Sequence, residues 1–372
     1  MYPRIIAPYR ADKVRGERFV NACRNLVGCM LASLCLLSGA SGAQVVTEFS
    51  IGITQGATPY GIALGPDANM WFAEYMGNRI GQITPNGAVT EYTAGITVGA
   101  HPVGITTGPD GNLWFTEYDG NRIGQITPSG VVAEFSSGIT AVATPRRIIA
   151  GPDGNLWFTE NNGNRIGRID PMTGVTIEFG VGITSAAVPF GITVGPDGNL
   201  WFTEYAGNRI GQITPTGVVT EFTTGISAGA SPFDITVGPD GNLWFTEYAG
   251  NRIGRITPSG VVTEFSAGIS PGAGPAGITV GTDFNLWFTE FDGNRIGRIT
   301  TTGIVKEYSA GISAGAGPFY IATGSDGNLW FTEYNGNRIG RMTVPPLSPS
   351  SVVSRKVHGA AGTFDLPLSL TP

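Results

Sequence analysis

Short stretches of alternating apolar and polar residues run through most of this chain and are separated by turn-forming residues. In the first unit they lie at residues 60–64, 70–75, 79–84 and 88–92. A period of two over a few residues predicts β-strands, and turn motifs such as Gly77-Asn78 favour the backbone angles that reverse a chain. No stretch in the unit is long enough for a helix, so each unit is predicted to form four short antiparallel strands.

The unit returns seven times, and its clearest marker is a tryptophan in the second predicted strand. Successive tryptophans are 43 or 44 residues apart and include every one in the chain: Trp71, Trp114, Trp157, Trp201, Trp244, Trp287 and Trp330. This period with four strands per repeat is typical of a propeller blade, whereas leucine-rich and tetratricopeptide repeats need helical or Leu-periodic stretches. The sequence therefore predicts an all-β fold, a seven-bladed β-propeller with four antiparallel strands per blade.

The two ends of the repeat region are complementary. Residues 45–49 match the fourth strand of a unit, as at residues 261–265, and precede the first complete copy. The last copy stops after its third strand, at residues 338–343. Pairing of these segments would complete the seventh blade and close the ring, whereas an open solenoid needs caps. The propeller domain is therefore predicted to span residues 44–344.

Residues 1–43 lie outside the repeat and are predicted to be a secretory signal peptide. A basic region precedes an apolar run at residues 26–37 that is too short to span a bilayer, and small residues at 41–43 suit cleavage. The signal peptide predicts that the protein is exported, as a secreted or periplasmic protein. All three cysteines lie in this leader, so the mature chain is expected to have no disulfide. Residues 345–372 are interpreted as a Pro/Ser linker and a tail that is either unstructured or the start of a truncated β module.

Charge mainly excludes classes of partner. The net charge is −6, and the repeats hold no basic cluster, which argues against nucleic acid. We expect a monomer without a membrane span whose partner is a small-molecule or surface ligand. The sequence has no P-loop, G-x-S-x-G or H-E-x-x-H motif, and its only histidines are His101 and His358.

Residues that recur in every unit are interpreted as scaffold, because a residue present in all seven blades cannot mark one unique site. A Glu three residues after each Trp and an Arg five residues later straddle the second hairpin, which predicts a cross-strand ion pair. The Asp of each Pro-Asp-Gly-Asn turn is expected to shape that turn rather than to bind a metal. The Glu of the fourth strand, for example Glu264, is expected on the outer edge of its blade, where charge discourages aggregation.

Function is expected where the copies differ, chiefly at the start of the innermost strands, on the face with the second-to-third strand turns. The candidate ligand-binding residues around this channel mouth are Tyr60, His101, Arg146, Arg147, Phe190, Phe233, Asp234, Phe319 and Tyr320. Aromatic rings with a few polar groups fit a small-ligand pocket, and drift at exposed loop ends is the alternative. As a loop residue, His101 is expected to be solvated. The opposite face is nearly uniform except around Met172, Phe284 and Thr301.

The string PFGITVGPDGNLWFTEYAGNRIGQIT at residues 189–214, with its near-copy at residues 232–257, resembles the repeat of the virginiamycin B lyase (streptogramin B lyase) family. The resemblance covers residues 45–343. It implies a seven-bladed propeller and a carbon–oxygen lyase that opens a cyclic depsipeptide antibiotic by elimination at an ester. In such a lyase Mg²⁺ polarises the ester and histidine transfers the proton.

The chain departs from the family at the positions that the resemblance marks as catalytic. The family's histidines directly follow the Pro of the innermost strand in the last two blades, and those places hold Ala276 and Phe319. A family glutamate is matched by Gly317, and the late second-strand acid of the last blade has only the repeat residue Glu333 nearby. Catalytic and metal-binding residues are therefore not assigned.

Three hypotheses follow. The first is a non-catalytic propeller that binds a ligand or partner at the channel mouth. The second is a Mg²⁺-dependent lyase with relocated catalytic groups, and the third is a metal-dependent lactonase. We favour the first, because Ala276 and Phe319 cannot move a proton. Mg²⁺ is an expected cofactor only under the lyase hypothesis.

Overall fold

The computed structural model describes residues 44–344 and a hairpin formed by Lys356–Gly359 and Gly362–Asp365. The predicted signal peptide at residues 1–43 and most of the predicted linker and tail at residues 345–372 lie outside the described residues. The described part of the tail is the hairpin. Within the described part of the chain, no helix is long and apolar enough to cross a membrane.

Seven four-stranded antiparallel sheets form the blades of a propeller, as predicted. The innermost strands begin at a Pro and are β2 (Pro59–Leu64), β6 (Pro102–Thr107), β10 (Pro145–Ala150), β14 (Pro189–Val194), β18 (Pro232–Val237), β22 (Pro275–Val280) and β26 (Pro318–Thr323). The second strands carry the Trp and are β3 (Met70–Glu74), β7 (Leu113–Glu117), β11 (Leu156–Glu160), β15 (Leu200–Glu204), β19 (Leu243–Glu247), β23 (Leu286–Glu290) and β27 (Leu329–Glu333).

The two outer strands complete each blade. The third strands begin at the repeat Arg and are β4 (Arg79–Ile83), β8 (Arg122–Ile126), β12 (Arg165–Ile169), β16 (Arg209–Ile213), β20 (Arg252–Ile256), β24 (Arg295–Ile299) and β28 (Arg338–Met342). The fourth strands are β5 (Val89–Tyr92), β9 (Val132–Phe135), β13 (Thr176–Phe179), β17 (Val219–Phe222), β21 (Val262–Phe265), β25 (Val305–Tyr308) and, for the last blade, β1 (Val46–Phe49). The hairpin in the tail is β29 (Lys356–Gly359) and β30 (Gly362–Asp365).

The two ends of the propeller share the seventh blade. Strand β1 pairs antiparallel with β28, with Val46 opposite Met342. The Thr332 hydroxyl of this blade donates to the Tyr60 carbonyl oxygen of the first blade at 2.7 Å. The same hydrogen bond joins Thr116 to Arg146 between two interior blades. The joint therefore uses the hydrogen bond that recurs between interior blades, and the predicted closure is confirmed.

The core lies between the blades and is built around the repeated Trp. Trp71 packs in one cluster with Ile105 and Phe115 of the next blade. Its ring stacks on Tyr92 of its own fourth strand, with ring centroids 5.3 Å apart. Its Nε1–H donates to the turn carboxylate of Asp67 at 3.0 Å, so the turn Asp satisfies the buried indole as well as shaping the turn.

Each third strand carries a Gly that faces the Phe beside the Trp. Gly254 lies opposite Phe245, and a Cβ at Gly254 would come within 2.1 Å of the Phe245 ring. Only a residue without a side chain leaves room for that ring. The preceding turn holds Asn251 at φ 55°, a left-handed conformation that Asn adopts more readily than most residues. These two requirements account for the repeated Asn-Arg-Ile-Gly motif.

The predicted ion pair is present in every blade, but the fourth-strand Glu is not an exposed edge charge. Glu247 is fully buried, and its Oε2 accepts from Arg252 Nε at 2.7 Å. Arg252 Nε also lies 3.4 Å from Glu264 Oε2. Glu264 accepts hydrogen bonds at 2.6 Å from both the backbone N–H and the hydroxyl of Ser227. The expected outer-edge role is therefore wrong, since this Glu ties the blade-to-blade crossing to the buried ion pair.

Candidate ligand-binding site at the channel mouth

The side chains at the start of the innermost strands converge on the channel axis. In all seven blades the pairing register shifts just after the Pro, for example between Pro59 and Ile62. Such a bulge redirects the side chains of the unpaired residues. We call the seven residues that directly follow the Pro the inner ring: Tyr60, Val103, Arg146, Phe190, Phe233, Ala276 and Phe319. The aromatic members of the inner ring are buried.

Aromatic members of the inner ring contact one another from blade to blade. The ring centroids of Phe190 and Phe233 lie 4.2 Å apart, and those of Tyr60 and Phe319 lie 4.7 Å apart in an edge-to-face arrangement. Phe233 and Phe319 approach to 5.5 Å although one blade separates them, because that blade contributes only the small Ala276. The inner ring thus forms an apolar floor at the mouth.

A second aromatic set surrounds the inner ring and was missed by the sequence analysis. These residues directly follow the repeat Glu, and we call them the collar: Tyr75, Tyr118, Asn161, Tyr205, Tyr248, Phe291 and Tyr334. Collar and inner ring pack together, with centroid distances of 5.5 Å for Phe190 and Tyr205 and 5.2 Å for Phe291 and Phe319. The available signal was an aromatic residue at one position in six of seven units.

Arg146 occupies the one blade where the collar is not aromatic. Its guanidinium carbon lies 3.7 Å from the centroid of the Phe190 ring, close enough for a cation–π contact. Its terminal nitrogens donate to the Tyr60 hydroxyl and, at 3.4 Å, to Asn161 Oδ1. Its Nε–H is buried and has no hydrogen-bond partner in the protein. Arg146 therefore brings a positive charge and a free donor to an aromatic surface.

Arg147, Asp234 and Tyr320 come from three different blades and meet beside the inner ring. Arg147 Nε lies 3.7 Å from Asp234 Oδ1, and its guanidinium carbon lies 4.5 Å from the Tyr320 centroid. Asp234 is almost fully buried and accepts from the Ile278 N–H at 3.2 Å, but its Oδ1 has no hydrogen bond. Burial raises the pKa of Asp234, although Arg147 acts against this. The expected convergence of these singular residues is thus present in the structure.

His101 lies at the rim, where its partly exposed ring is also paired with a carboxylate. Its Nδ1 lies 2.5 Å from Asp119 Oδ2, and its ring centroid lies 4.9 Å from that of Tyr75. The Tyr75 hydroxyl donates to the same carboxylate at 3.3 Å. Burial, with the charge of Asp119, raises the pKa of Tyr75 to about 12. A carboxylate on Nδ1 fixes the imidazole orientation and leaves Nε2 for proton transfer, which is the arrangement of many general bases.

The described residues do not form a site for a divalent metal. Among residues 44–344, no three His, Cys, Asp or Glu side chains lie close enough together to hold an ion. The buried carboxylate in the channel, Asp234, turns its unpaired oxygen towards the cation of Arg147 rather than towards other carboxylates. A Mg²⁺ held by several protein carboxylates therefore does not fit the described residues of this mouth.

The repeat and the closed ring agree with the model of the virginiamycin B lyase family, which matches residues 41–266 and 225–347. The chain belongs to the virginiamycin B lyase family. The virginiamycin B lyase from Staphylococcus aureus is 39% identical, with a TM-score of 0.75 over 81% of this chain and 99% of that one. A streptogramin B lyase is 35% identical, with a TM-score of 0.75 over 81% and 97% of the two chains. A catalytically inactive variant of the S. aureus enzyme, solved with quinupristin, matches as closely as the first. Among curated proteins no match was found.

The two positions that the resemblance matches to histidine hold buried apolar side chains in the present chain. Ala276 is fully buried, and Phe319 packs between Tyr60 and Phe291. Neither side chain carries a proton donor or acceptor. The only imidazole at the mouth within the described residues is that of His101, which stands in a different blade.

Proposed function

We propose that this family member binds a small peptide-like ligand with aromatic or apolar groups at the channel mouth, without catalysis from the positions of Ala276 and Phe319. The observation that carries the proposal is Arg146, whose partly exposed guanidinium lies against the aromatic floor and collar. Collar rings offer apolar contact area, and Arg146 offers a charged donor to a ligand carbonyl group. This combination of an apolar surface with a few fixed polar groups is typical of small-molecule sites.

Quinupristin is the natural first probe, because it was solved with a relative that is 39% identical to this chain. Binding should be measured by isothermal titration calorimetry with the protein lacking residues 1–43. Arg146→Gln removes the charge and should weaken binding by at least about tenfold, since a hydrogen bond to a charged group contributes roughly 1.5–3 kcal/mol. Phe190→Leu should weaken binding through lost aromatic contact.

Arg168→Gln is the matched control, because the equivalent position holds Gln in other blades, such as Gln82. This variant should bind like the wild type. Quinupristin binding that is equal in wild type and Arg146→Gln would reject the role of Arg146. The absence of any quinupristin binding by a folded wild-type protein would reject a ligand of this class.

A second candidate function is a carbon–oxygen lyase that uses His101, and the 2.5 Å contact to Asp119 is the observation that favours it. His101 Nε2 would take the proton from the carbon next to a carbonyl group of the ligand. The electron pair would form a carbon–carbon double bond, and the ester C–O bond on the adjacent carbon would break and release a carboxylate. Binding and lyase activity are distinguishable, because only the latter gives a ring-opened product.

The lyase test is incubation of quinupristin with the wild type and with His101→Ala, followed by mass spectrometry. Product formed by the wild type and lost in His101→Ala would establish this function, provided that the variant still binds quinupristin. Product formed equally by both proteins would exclude His101 as the base. No product from a wild type that binds quinupristin would leave ligand binding as the function. No specific observation favours the lactonase hypothesis.

A further inference from the structure

The end of the propeller opposite to the channel mouth carries an open cleft of about 390 Å³. It is lined by Pro239 and Asp240 from one blade and by Phe284 and Thr301 from the next. Two of the three irregularities on this otherwise uniform face, Phe284 and Thr301, therefore meet in one place. The volume lies near the lower end of the range for small-molecule sites, about 300–1,000 Å³.

Phe284 occupies a turn position that disfavours it. Its φ is 55°, in the left-handed region where a bulky residue is strained. The equivalent residue is Gly in most other blades, for example Gly241 and Gly327. Phe284 is 56% exposed, so little packing within the protein offsets the strain. A strained and exposed aromatic residue beside a cleft is expected where the ring contacts a ligand.

The charges in the cleft favour a neutral ligand. Arg255 Nη1 donates to the Thr301 carbonyl oxygen at 3.4 Å and lies 4.0 Å from Asp240 Oδ2. Asp240 Oδ1 accepts from the indole of Trp244 at 3.0 Å and from the Asn242 backbone N–H at 3.2 Å, and Oδ2 accepts from the Asn242 side chain at 2.8 Å. Oδ2 therefore keeps one acceptor position for a ligand. The fixed carboxylate would repel an anion, and the neighbouring guanidinium would repel a cation. A ligand with hydroxyl groups could instead donate to Asp240 without adding a charge.

We propose that this cleft binds a neutral sugar, with one face of the ring stacked on Phe284 and a hydroxyl group donating to Asp240 Oδ2. An aromatic ring supplies the apolar contact that the C–H face of a sugar needs, and the cleft accommodates one or two sugar rings. The site is separate from the channel mouth and does not depend on the function proposed there.

The test is saturation-transfer NMR of the protein lacking residues 1–43 with glucose, N-acetylglucosamine, cellobiose and maltose. Each sugar is used at about 1 mM, so that binding with a dissociation constant near this value is detected. Phe284→Gly restores the residue of the other blades. It should reduce the affinity for the bound sugar at least about tenfold and, by removing the strain, raise the Tm by about 2–6 °C. Phe284→Trp should retain binding, because the stacking surface is kept.

Two controls make the result specific. Phe284→Leu keeps an apolar side chain at the strained position and should still lose the sugar. Arg146→Gln, at the opposite end of the propeller, should leave sugar binding unchanged. Binding of none of the four sugars, or equal binding by wild type and Phe284→Gly, would overturn the proposal. A lower Tm for Phe284→Gly would also overturn it, since Phe284 would then stabilise the fold.

Discussion

Replacing Glu247 with Gln should make the propeller less sensitive to alkaline pH than the wild type. Glu247 is fully buried, with Oε2 held by Arg252 at 2.7 Å and Oε1 without any hydrogen bond. Burial raises the pKa of Glu247 to about 7; Arg252 lowers it and the nearby Glu264 raises it. The ion pair taken alone suggests that Glu247 is always ionised. Arg252, however, is shared with Glu264, and burial raises the pKa of Glu247 by more than Arg252 lowers it.

The direction in which stability changes with pH depends on whether the folded or the unfolded state binds the Glu247 proton more tightly. A carboxyl group whose pKa is 4.5 when unfolded and about 7 when folded stabilises the fold fully below pH 4.5 and loses that contribution as pH rises through 7. Between pH 5 and pH 8 the loss from this one group is roughly 2–3 kcal/mol. Gln has no proton to lose, so the free energy of unfolding of Glu247→Gln should gain that amount relative to the wild type over the same interval.

Guanidinium unfolding followed by tryptophan fluorescence at several pH values measures this difference directly. Glu264→Gln tests the same cluster of Glu247, Arg252 and Glu264 from its other carboxylate. Glu264 raises the pKa of Glu247, so this variant should move the loss of stability from Glu247 to lower pH. A Glu247→Gln difference that is constant from pH 5 to pH 8 would show that Glu247 is ionised throughout and would refute the reasoning.

Three further predictions concern the scaffold. Trp244→Ala should lower the free energy of unfolding by about 3–5 kcal/mol through the cavity left between two blades, measured by the same denaturation; a loss below about 1 kcal/mol would contradict that core. Gly254→Ala should cost roughly 1–3 kcal/mol, because its Cβ would overlap the Phe245 ring, and a neutral result would mean that the ring moves freely. Removal of residues 1–49 instead of 1–43 should expose the edge of β28 and produce aggregation on size-exclusion chromatography; a stable monomer with an unchanged Tm would argue against closure by β1.

The candidate site was predictable only in part. Departures from the repeat identified Arg146, Arg147, Asp234 and Tyr320 as singular, and the structure places all four at the mouth. The collar was missed because its aromatic residues recur with the repeat and were taken as scaffold. The carboxylate partner of His101 was missed as well, because Asp119 lies 18 residues further along and meets His101 only through the packing of a crossing against a hairpin turn.

The sequence alone determined the strands, their number and the closure of the ring. Alternating residues and turn motifs act over a few positions, so a pattern repeated seven times fixes each blade independently, and the complementary ends fix the joint. Only the tertiary structure decided which singular residues touch. Contacts across the axis depend on the radius of the propeller channel and on how far each side chain reaches. Phe233 and Phe319, for example, meet only because the blade between them contributes the small Ala276. Those distances are properties of the closed assembly, because no segment of the chain holds them locally.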